Sequence, residues 1–320
     1  MQIMSDADTN GRKTEAVLLT GASGMLGAAI GNALRQQGTK LIRLVRREAH
    51  GPDEVRWNPD SPEEGTHGSA IEIARLEGID AAVHLSGANV AARRWTAKYK
   101  REMTESRVTT TRVLAEMLAG LKNPPQVLVT ASAVGFYGNR GDEILDEDSA
   151  AGQGYFPELC AAWEEAARPA RDAGIRVVHL RFGMVLGQDG GALARLVPMF
   201  RLGLGGRLGS GRQWMSWVSE ADAVSVVLFA LENSRLSGAI NAVSPQPVTN
   251  AEFTRELGRA VHRPTVMTAP AFALRLAFGK MADEALLAST RAMPKRLLES
   301  GFTFRHPALM EAFDAALRRS

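Results

Sequence analysis

The segment that most constrains the fold is a turn with glycine at every third position, Gly21-Ala22-Ser23-Gly24-Met25-Leu26-Gly27. The run before it, residues 16–20 (AVLLT), is continuously apolar up to its threonine, which is typical of a strand buried on both faces. Gly21 permits a tight turn, Gly24 permits backbone N–H groups to approach a pyrophosphate, and Gly27 permits close packing of helix on strand. The helix N-terminus then presents free N–H groups and a positive dipole end to the anion. We therefore predict a dinucleotide site formed by Gly21, Ser23, Gly24, Met25, Leu26 and Gly27; the alternative is an ordinary glycine turn.

Strand-like and helical patterns alternate over the first two-thirds of the chain. Short apolar runs typical of strands occupy residues 41–45, 80–85, 127–131 and 176–182, with another at 239–243. Helical patterns occupy residues 25–37, 97–121, 158–173 and 221–232. This alternation predicts an α/β fold, a Rossmann-type doubly wound parallel sheet with helices on both faces. The mostly helical pattern after Pro245 predicts a smaller C-terminal domain.

These patterns suggest a division of the chain into domains. We predict a flexible tail at 1–14, a nucleotide-binding domain at 15–187 that is rejoined by 221–243, and a substrate-side domain formed by 188–220 and 244–320. Apolar residues at 45% and charged residues at 23% indicate an ordinary globular chain. No apolar run reaches the roughly 18 residues of a membrane span, and residues 1–16 lack a hydrophobic signal core, so we expect a cytoplasmic protein.

Charge and cysteine content exclude other classes of site. The net charge of +3 is too weak to argue for nucleic acid as a partner. Cys160 is the one cysteine, which excludes an internal disulfide and a multi-cysteine metal centre, and we predict no metal site.

The end of the second predicted strand bears on the choice of cofactor. Dinucleotide sites that prefer NAD place Asp or Glu there for the ribose hydroxyls, whereas NADP sites place Arg near the 2′-phosphate. This strand ends in Arg46, Arg47 and Glu48. Because a guanidinium matches phosphate oxygens, we predict NADP(H), with Arg46 as the first choice of contact and Arg47 beside it. Glu48 argues for NAD, and two solvated arginines remain the alternative.

Several motifs together resemble the extended short-chain dehydrogenases, the NAD-dependent epimerase/dehydratase superfamily. They are the glycine turn, the strand exit Ser86-Gly87-Ala88 and the SAVGFYG segment at 132–138. Segments 94–96, 106–108, 180–187, 211–222, 285–289 and 301–304 resemble more narrowly its atypical nucleotide-sugar epimerase branch, including a C-terminal domain of unknown function. The resemblance implies an NADP(H)-binding Rossmann fold with Ser86, Gly87 and Ala88 at the cofactor. It also implies a small-molecule substrate, with a nucleotide sugar as the leading candidate.

The chain departs from that superfamily at its usual catalytic pair. Typical members act through Tyr-x-x-x-Lys, in which the lysine charge favours tyrosinate. Aligned on the helix, these two positions fall at Phe156 and Cys160, and shifting the register to Tyr155 gives Leu159. Neither alignment supplies both an ionisable hydroxyl and a cation, so the usual acid–base pair is absent.

Other polar residues near the expected nicotinamide could move a proton. Ser132 ends a strand, Tyr137 follows in the same loop, and Glu164 lies one helical turn beyond Cys160. Each has an ordinary alternative, namely a hydrogen bond to backbone or nicotinamide, loop packing, and a solvated helix position. For substrate we predict Arg94, Trp95, Arg181 and Trp217, an arginine and aromatic set suited to an anionic, ring-bearing molecule. We thus predict an NADP(H)-dependent epimerase/dehydratase-like oxidoreductase, with a catalytically inactive NADP(H)-binding redox sensor as the alternative.

Overall fold

A computed structural model describes residues 14–59, 70–187 and 190–317, so the predicted tail lies, except for Thr14, outside the described residues. The strands are β1 (Ala16–Thr20), β2 (Lys40–Val45), β3 (Glu54–Arg56), β4 (Ala81–His84), β5 (Val127–Ala133), β6 (Ile144–Leu145), β7 (Arg176–Phe182), β8 (Met184–Leu186), β9 (Gly206–Leu208), β10 (Trp214–Met215), β11 (Trp217–Ser219), β12 (Gly238–Ala242), β13 (Val248–Thr249), β14 (Met267–Ala269) and β15 (Arg291–Ala292). The helices are α1 (Met25–Gln36), α2 (Ala70–Ala74), α3 (Ala97–Thr104), α4 (Thr110–Ala119), α5 (Tyr155–Glu165), α6 (Arg168–Asp172), α7 (Leu193–Arg201), α8 (Glu220–Glu232), α9 (Asn250–Ala260), α10 (Ala271–Phe278), α11 (Lys295–Glu299) and α12 (Leu309–Leu317).

The central sheet has seven strands in the order β12-β7-β5-β4-β1-β2-β3, and every neighbouring pair is parallel. This confirms the predicted Rossmann-type doubly wound sheet. The strand order reverses between β1 and β4, and in such sheets a ligand binds in the crevice at the carboxyl ends of the two strands beside the reversal. The glycine turn follows β1 and the Ser86–Gly87–Ala88 loop follows β4, so both predicted cofactor segments border that crevice.

Apolar side chains cover the sheet on both faces, which is why its strands read as continuous apolar runs. On one face β1, β4, β5 and β7 pack against α1 and α8 through a buried cluster that includes Ile30 and Val226. On the other face a second buried cluster, which includes Leu114 and Ala170, packs α4 and α6 against the sheet. The rigid sheet thereby fixes the positions of the loops at its carboxyl edge.

Two buried histidines join neighbouring strands near that edge. Thr20 of β1 and His84 of β4 are register partners whose side chains lie 2.7 Å apart. Thr130 of β5 and His179 of β7 repeat the arrangement at 2.8 Å. Burial lowers the pKa of His84 to about 3 and that of His179 to about 4, so both imidazoles are neutral at physiological pH. These histidines stabilise the sheet and take no part in the site described below.

Two predicted helices are interrupted. The helix predicted at 97–121 consists of α3, a π-helical turn at Glu105–Thr109, and α4. The helix predicted at 158–173 ends at Glu165 and restarts as α6, because Pro169 has no N–H to donate to the preceding turn. A π-helical turn inside an α-helix often marks a functional site, and this one lies beside the cofactor crevice.

The chain after β7 alternates between short strand pairs and helices. β12 returns to the edge of the large sheet beside β7, as expected for residues 239–243. The remaining pairs, β8 with β11, β9 with β14, β10 with β13 and β6 with β15, each contain two strands. The predicted domain boundaries stay a prediction. No helix in the described part of the chain is long and apolar enough to cross a membrane.

Candidate functional site

The glycine turn has the geometry of a phosphate cradle. Gly21 has φ of +70°, and a Cβ there would lie 2.8 Å from the Leu85 carbonyl carbon. A Cβ on Gly27 would lie 2.2 Å from the Gly21 carbonyl oxygen, so both positions require glycine. A Cβ on Gly24 would contact only the Gly21 oxygen, at 3.4 Å, and would otherwise project into open space. The space in front of Gly24 is therefore kept clear by the absence of a side chain.

The α1 N-terminus completes the cradle. Among the described residues no side chain caps this helix, and its first turn carries no acidic residue. The first-turn N–H groups of Met25, Leu26 and Gly27 have no carbonyl four residues back within the helix. Ser23 is exposed at the mouth of the turn. Free donors and a positive dipole end facing open space fit a pyrophosphate.

The two candidate arginines at the end of β2 differ in their ion pairs. Arg47 donates to both carboxylate oxygens of Glu54, at 2.6 and 2.7 Å, and Arg43 lies 3.1 Å from the same group. The Arg47 hydrogen bonds are the largest cause that lowers the pKa of Glu54 to about 2. Arg47 is thus engaged by Glu54, although its side chain is 53% exposed, and its place at the cofactor stays a prediction.

Arg46 is exposed and forms no ion pair with any described residue. Glu48, the residue that argued for NAD, lies 2.7 Å from Arg56 and is neutralised by it. The end of β2 therefore leaves one cation free to meet a 2′-phosphate.

The loop after β4 forms the opposite wall of the crevice. The Ser86 hydroxyl donates to Thr20 Oγ1 at 3.0 Å, which ties this loop to the end of β1. The Ala88 N–H donates to Ser106 Oγ at 3.0 Å, and the Ala88 carbonyl accepts from Arg107 at 2.8 Å. A Cβ on Gly87 would lie 3.1 Å from Arg107 Cζ. The loop is therefore held between β1 and the π-helical turn.

Ser132, Glu164 and Arg181 form one hydrogen-bonded cluster beyond this wall. Ser132 Oγ donates to Glu164 Oε1 at 2.7 Å, and Arg181 donates to both Glu164 oxygens at 2.8 Å. Ser132 is on β5, Arg181 on β7 and Glu164 on α5. The Glu164 side chain is 13% exposed and that of Arg181 is 5% exposed. The carboxylate is therefore held by three donors and is the more accessible half of the ion pair.

Tyr137 is close to the cluster but closed to solvent. Its hydroxyl donates to Asn241 Oδ1 at 2.8 Å and accepts from Arg181 at 3.0 Å. The side chain is completely buried, and burial raises the pKa of this phenol above its usual value. The structure thus places Tyr137 behind Arg181, and its role in proton transfer stays a prediction.

The predicted substrate residues are not brought together. Trp217 is fully buried in the core under α9 and α12, with its indole N–H bound to the Gln246 carbonyl. Arg181 is bound to Glu164. The substrate contacts predicted for these two residues stay predictions. Trp95 is 7% exposed and packs edge-on against Tyr155 and Phe156, so it is a packing residue. Arg94 alone is exposed, with its guanidinium beside Gly279.

The two positions of the missing catalytic pair have different surroundings. The ring of Phe156 covers Gly135, where a Cβ would lie 2.5 Å from it. Cys160 is fully buried, and burial raises the pKa of its thiol to about 12. The guanidinium groups of Arg107 and Arg181 are both close enough to Cys160 to act on that pKa. A neutral thiol at this place excludes Cys160 as a nucleophile.

We expect that Phe156→Tyr combined with Cys160→Lys does not restore ordinary dehydrogenase activity. Phe156→Tyr alone should be tolerated, because the ring is partly exposed. Cys160→Lys places a third cation beside Arg107 and Arg181 in a buried position, which should cost several kcal/mol, roughly 3–5. Thermal unfolding and NADPH turnover of both single variants and the double variant test this. A stable double variant with robust reductase activity would mean that the pocket already suits the usual pair.

Arg107 is the site residue that sequence reasoning missed. It lies on the π-helical turn, and it is buried although it is charged. The helical pattern held a signal: Met103, Arg107, Leu114 and Leu118 share the buried face, and an arginine interrupts an otherwise apolar set. An arginine at an apolar position of a helix indicates either a buried partner or a ligand.

Two protein-family models match the chain. Residues 17–242 match the model of the NAD dependent epimerase/dehydratase family, and residues 269–316 match a domain of unknown function, DUF1731. The chain is similar to the epimerase family protein Mb2239 of Mycobacterium bovis, with 45% identity over 95% of this chain and 98% of that one.

Two solved structures are also similar. The human epimerase family protein SDR39U1, crystallised with NADPH, shares 32% identity over 95% of this chain and 100% of that chain, with a TM-score of 0.85. A nucleoside-diphosphate sugar epimerase from Corynebacterium glutamicum shares 35% identity over 94% of this chain and 58% of that chain, with a TM-score of 0.76.

Proposed function

The chain belongs to the NAD-dependent epimerase/dehydratase family, and from that membership we propose that it is an NADP(H)-dependent oxidoreductase of the epimerase/dehydratase type. The observation that carries the proposal is the open cradle at Gly21, Gly24 and Gly27, which faces the crevice between β1 and β4. Met25 and Leu26 would donate backbone N–H groups to the pyrophosphate, and Ser23 would contact it from the mouth of the turn. Ser86, Gly87 and Ala88 would border the dinucleotide from the β4 side.

The choice of NADP(H) over NAD(H) depends on charge at the end of β2. Glu48 and Glu54 are both neutralised by arginines, so neither is free to select the ribose hydroxyls of NAD. Arg46 is free to bind a 2′-phosphate. The NADPH named in the structure of the human relative supports the same choice.

Arg46→Ala should weaken NADPH binding by roughly 1.5–3 kcal/mol, the range for a hydrogen bond to a charged group, and leave NADH binding almost unchanged. Calorimetric titration with both cofactors measures the difference. Arg259→Ala is a suitable control, because Arg259 is an exposed arginine of α9 that pairs with Glu256 of the same helix and not with a residue at the end of β2. Equal weakening of NADPH and NADH by Arg46→Ala would show that Arg46 does not contact the 2′-phosphate.

Glu164 is the proposed proton acceptor and donor. Bound NADP(H) supplies hydride exchange with the substrate carbon. Glu164 presents a partly exposed carboxylate, and Ser132 and Arg181 fix its orientation from two strands. Nearly complete burial of Arg181 keeps water from the rear of the ion pair, and Tyr137 holds Arg181 in place. A fixed carboxylate at the carboxyl edge of β5 and β7 can take over the proton transfer that the usual tyrosine performs.

We propose a small anionic, ring-bearing substrate, with nucleotide sugars as the first class to test. The sugar-epimerase name of the Corynebacterium glutamicum relative supports this class. Arg94 is the proposed contact for the anionic group, because it is exposed near the turn at Gly279 and forms no ion pair with a described residue. A cytoplasmic location stays a prediction from the sequence.

A redox sensor that binds NADP(H) without turnover is the second candidate. The observation in its favour is the replacement of the usual tyrosine and lysine by Phe156 and the neutral Cys160. Titration of the wild-type protein with NADPH tests what both candidates share, and saturable binding is expected. Turnover separates the two candidates, because the oxidoreductase converts a substrate and the redox sensor does not.

A further inference from the structure

Arg107 has an unusual environment for a charged side chain. It is 7% exposed and projects from the π-helical turn that interrupts the predicted helix. One terminal nitrogen donates to the Ala88 carbonyl at 2.8 Å and the other to the Met103 carbonyl at 3.3 Å. The Nε atom is buried and has no hydrogen-bond partner among the described residues. The side chain is thus only partly satisfied by the protein.

The charge of Arg107 also lacks a counter-ion. Within residues 14–59, 70–187 and 190–317 it forms no ion pair. Its neighbours are the Trp163 ring, 5.0 Å from Cζ, and the Cys160 and Tyr155 side chains, which are neutral at physiological pH. A buried, uncompensated charge destabilises a protein, so packing alone gives no reason to keep one here.

The location of this charge matches that of the missing lysine. Cys160 stands where the lysine of Tyr-x-x-x-Lys would be, and Arg107 reaches the same helix, with Cζ 5.0 Å from the Trp163 ring. Glu164 forms an ion pair with Arg181, whereas Arg107 has no described carboxylate partner. One uncompensated positive charge therefore remains beside α5, supplied from the π-helical turn.

The order of the strands tells which half of a dinucleotide this charge would face. In sheets of this type, the adenosine ribose of a bound dinucleotide would lie over the end of β2, on one side of the glycine turn. The nicotinamide half would then extend to the other side, over β4 and β5. Arg107 packs against Gly87, which follows β4, and near Cys160, which packs beside β5. Arg107 thus lies on the nicotinamide side of the crevice.

We propose that Arg107 is a positioning residue that replaces the lysine charge and makes the site favour NADPH over NADP⁺. This inference rests on the proposed function. The oxidised nicotinamide ring carries a positive charge and the reduced ring is neutral, so a nearby cation disfavours only the oxidised form. The unpaired Nε and the missing counter-ion are consistent with a charge kept for a ligand.

The test compares the Kd values of NADP⁺ and NADPH for the wild-type protein, Arg107→Met and Arg107→Lys. We expect the Kd of NADP⁺ divided by the Kd of NADPH to fall about tenfold in Arg107→Met. In Arg107→Lys this ratio should stay within about threefold of wild type. Arg176→Met is the matched control. Arg176 is a partly buried arginine at the start of β7, whereas Arg181 lies near the end of that strand. Arg176 donates to the carbonyls of Ala230, Leu231 and Leu236. This control should leave the ratio unchanged.

Thermal unfolding without cofactor separates a ligand role from a structural one. Arg107→Met removes an uncompensated buried charge but also the donors to the Ala88 and Met103 carbonyls, so its melting temperature should fall less than that of Arg176→Met. Arg176→Met should lower it, because three carbonyls lose their donors. A large loss of stability in Arg107→Met together with an unchanged Kd ratio would overturn the proposal in favour of a structural role.

Moving the charge gives a second, independent test. Cys160→Lys alone should be destabilised, whereas Arg107→Met with Cys160→Lys should recover stability and the preference for NADPH. A double variant that is no more stable than Cys160→Lys, or one that lacks the preference, would count against the proposal. Binding of neither cofactor form by wild type would overturn the proposed function itself. Binding with an unchanged ratio in Arg107→Met would overturn this inference alone.

Discussion

Glu164→Gln is expected to abolish turnover and to lower the free energy of unfolding by about 3–5 kcal/mol. The loss of stability follows because Arg181 is almost completely buried and would lose its only described carboxylate partner. Turnover should fall at least about a hundredfold, the lower limit for loss of a general acid–base group. Chemical denaturation and steady-state kinetics measure the two effects.

The neighbouring Glu165 provides a matched control. It is on the same helix, but it is exposed and pairs only with the surface arginines Arg168 and Arg171. Glu165→Gln should change stability by less than about 0.5 kcal/mol and leave turnover intact. If Glu164→Gln fails to fold, Glu164→Gln with Arg181→Met removes both charges and should regain stability without activity. Normal turnover in a variant that lacks the Glu164 carboxylate would contradict its role.

Gly24→Val should abolish dinucleotide binding while the protein stays folded. A Cβ at this position has space among the described residues, where its one close neighbour is the Gly21 oxygen at 3.4 Å. The branched side chain would instead occupy the space in front of the α1 N-terminus, where the pyrophosphate is expected. Calorimetry with NADPH measures the loss, and circular dichroism checks the fold.

Two other glycines frame this result. Gly120 follows α4, on the side of the sheet where β5 begins, and a Cβ there would lie 3.5 Å from the Glu116 carbonyl oxygen, so Gly120→Val should bind NADPH normally. Gly27→Ala should lose stability, because its Cβ would lie 2.2 Å from the Gly21 oxygen. Near-normal NADPH affinity in folded Gly24→Val would show that the glycine turn does not bind the pyrophosphate.

Local patterns predicted the fold well, because the determinants of each element lie close together in sequence. The first strand was predicted at its observed bounds, Ala16–Thr20, and the return of the chain to the sheet after α8 was also predicted. The glycine turn could be interpreted for the same reason, since its three glycines serve contacts within a few residues. The helix predicted at 158–173 is an exception, because Pro169 divides it into α5 and α6.

The site was less predictable, because burial there depends on partners far along the chain. Tyr137 is closed off by Asn241, and Trp217 is covered by α9 and α12. The sequence predicts Arg181 at the substrate, and in the structure it forms an ion pair with Glu164 of α5. The sequence predicts Arg47 at the cofactor, and in the structure it forms an ion pair with Glu54 of β3. A sequence shows which residues are charged, but not which of them the fold leaves free.

We propose that this chain carries out hydride chemistry with NADP(H) through Glu164 in place of tyrosine and lysine. The most direct measurement is incubation of the wild-type protein and Glu164→Gln with NADPH or NADP⁺ and a panel of nucleotide sugars and carbonyl compounds. Nicotinamide absorbance and the NMR spectra of the substrates are followed together, so that an epimerisation without net cofactor change is also seen. We predict that at least one compound is converted by wild type and not by Glu164→Gln. Saturable NADPH binding with no conversion of any compound, or equal conversion by both proteins, would contradict the account.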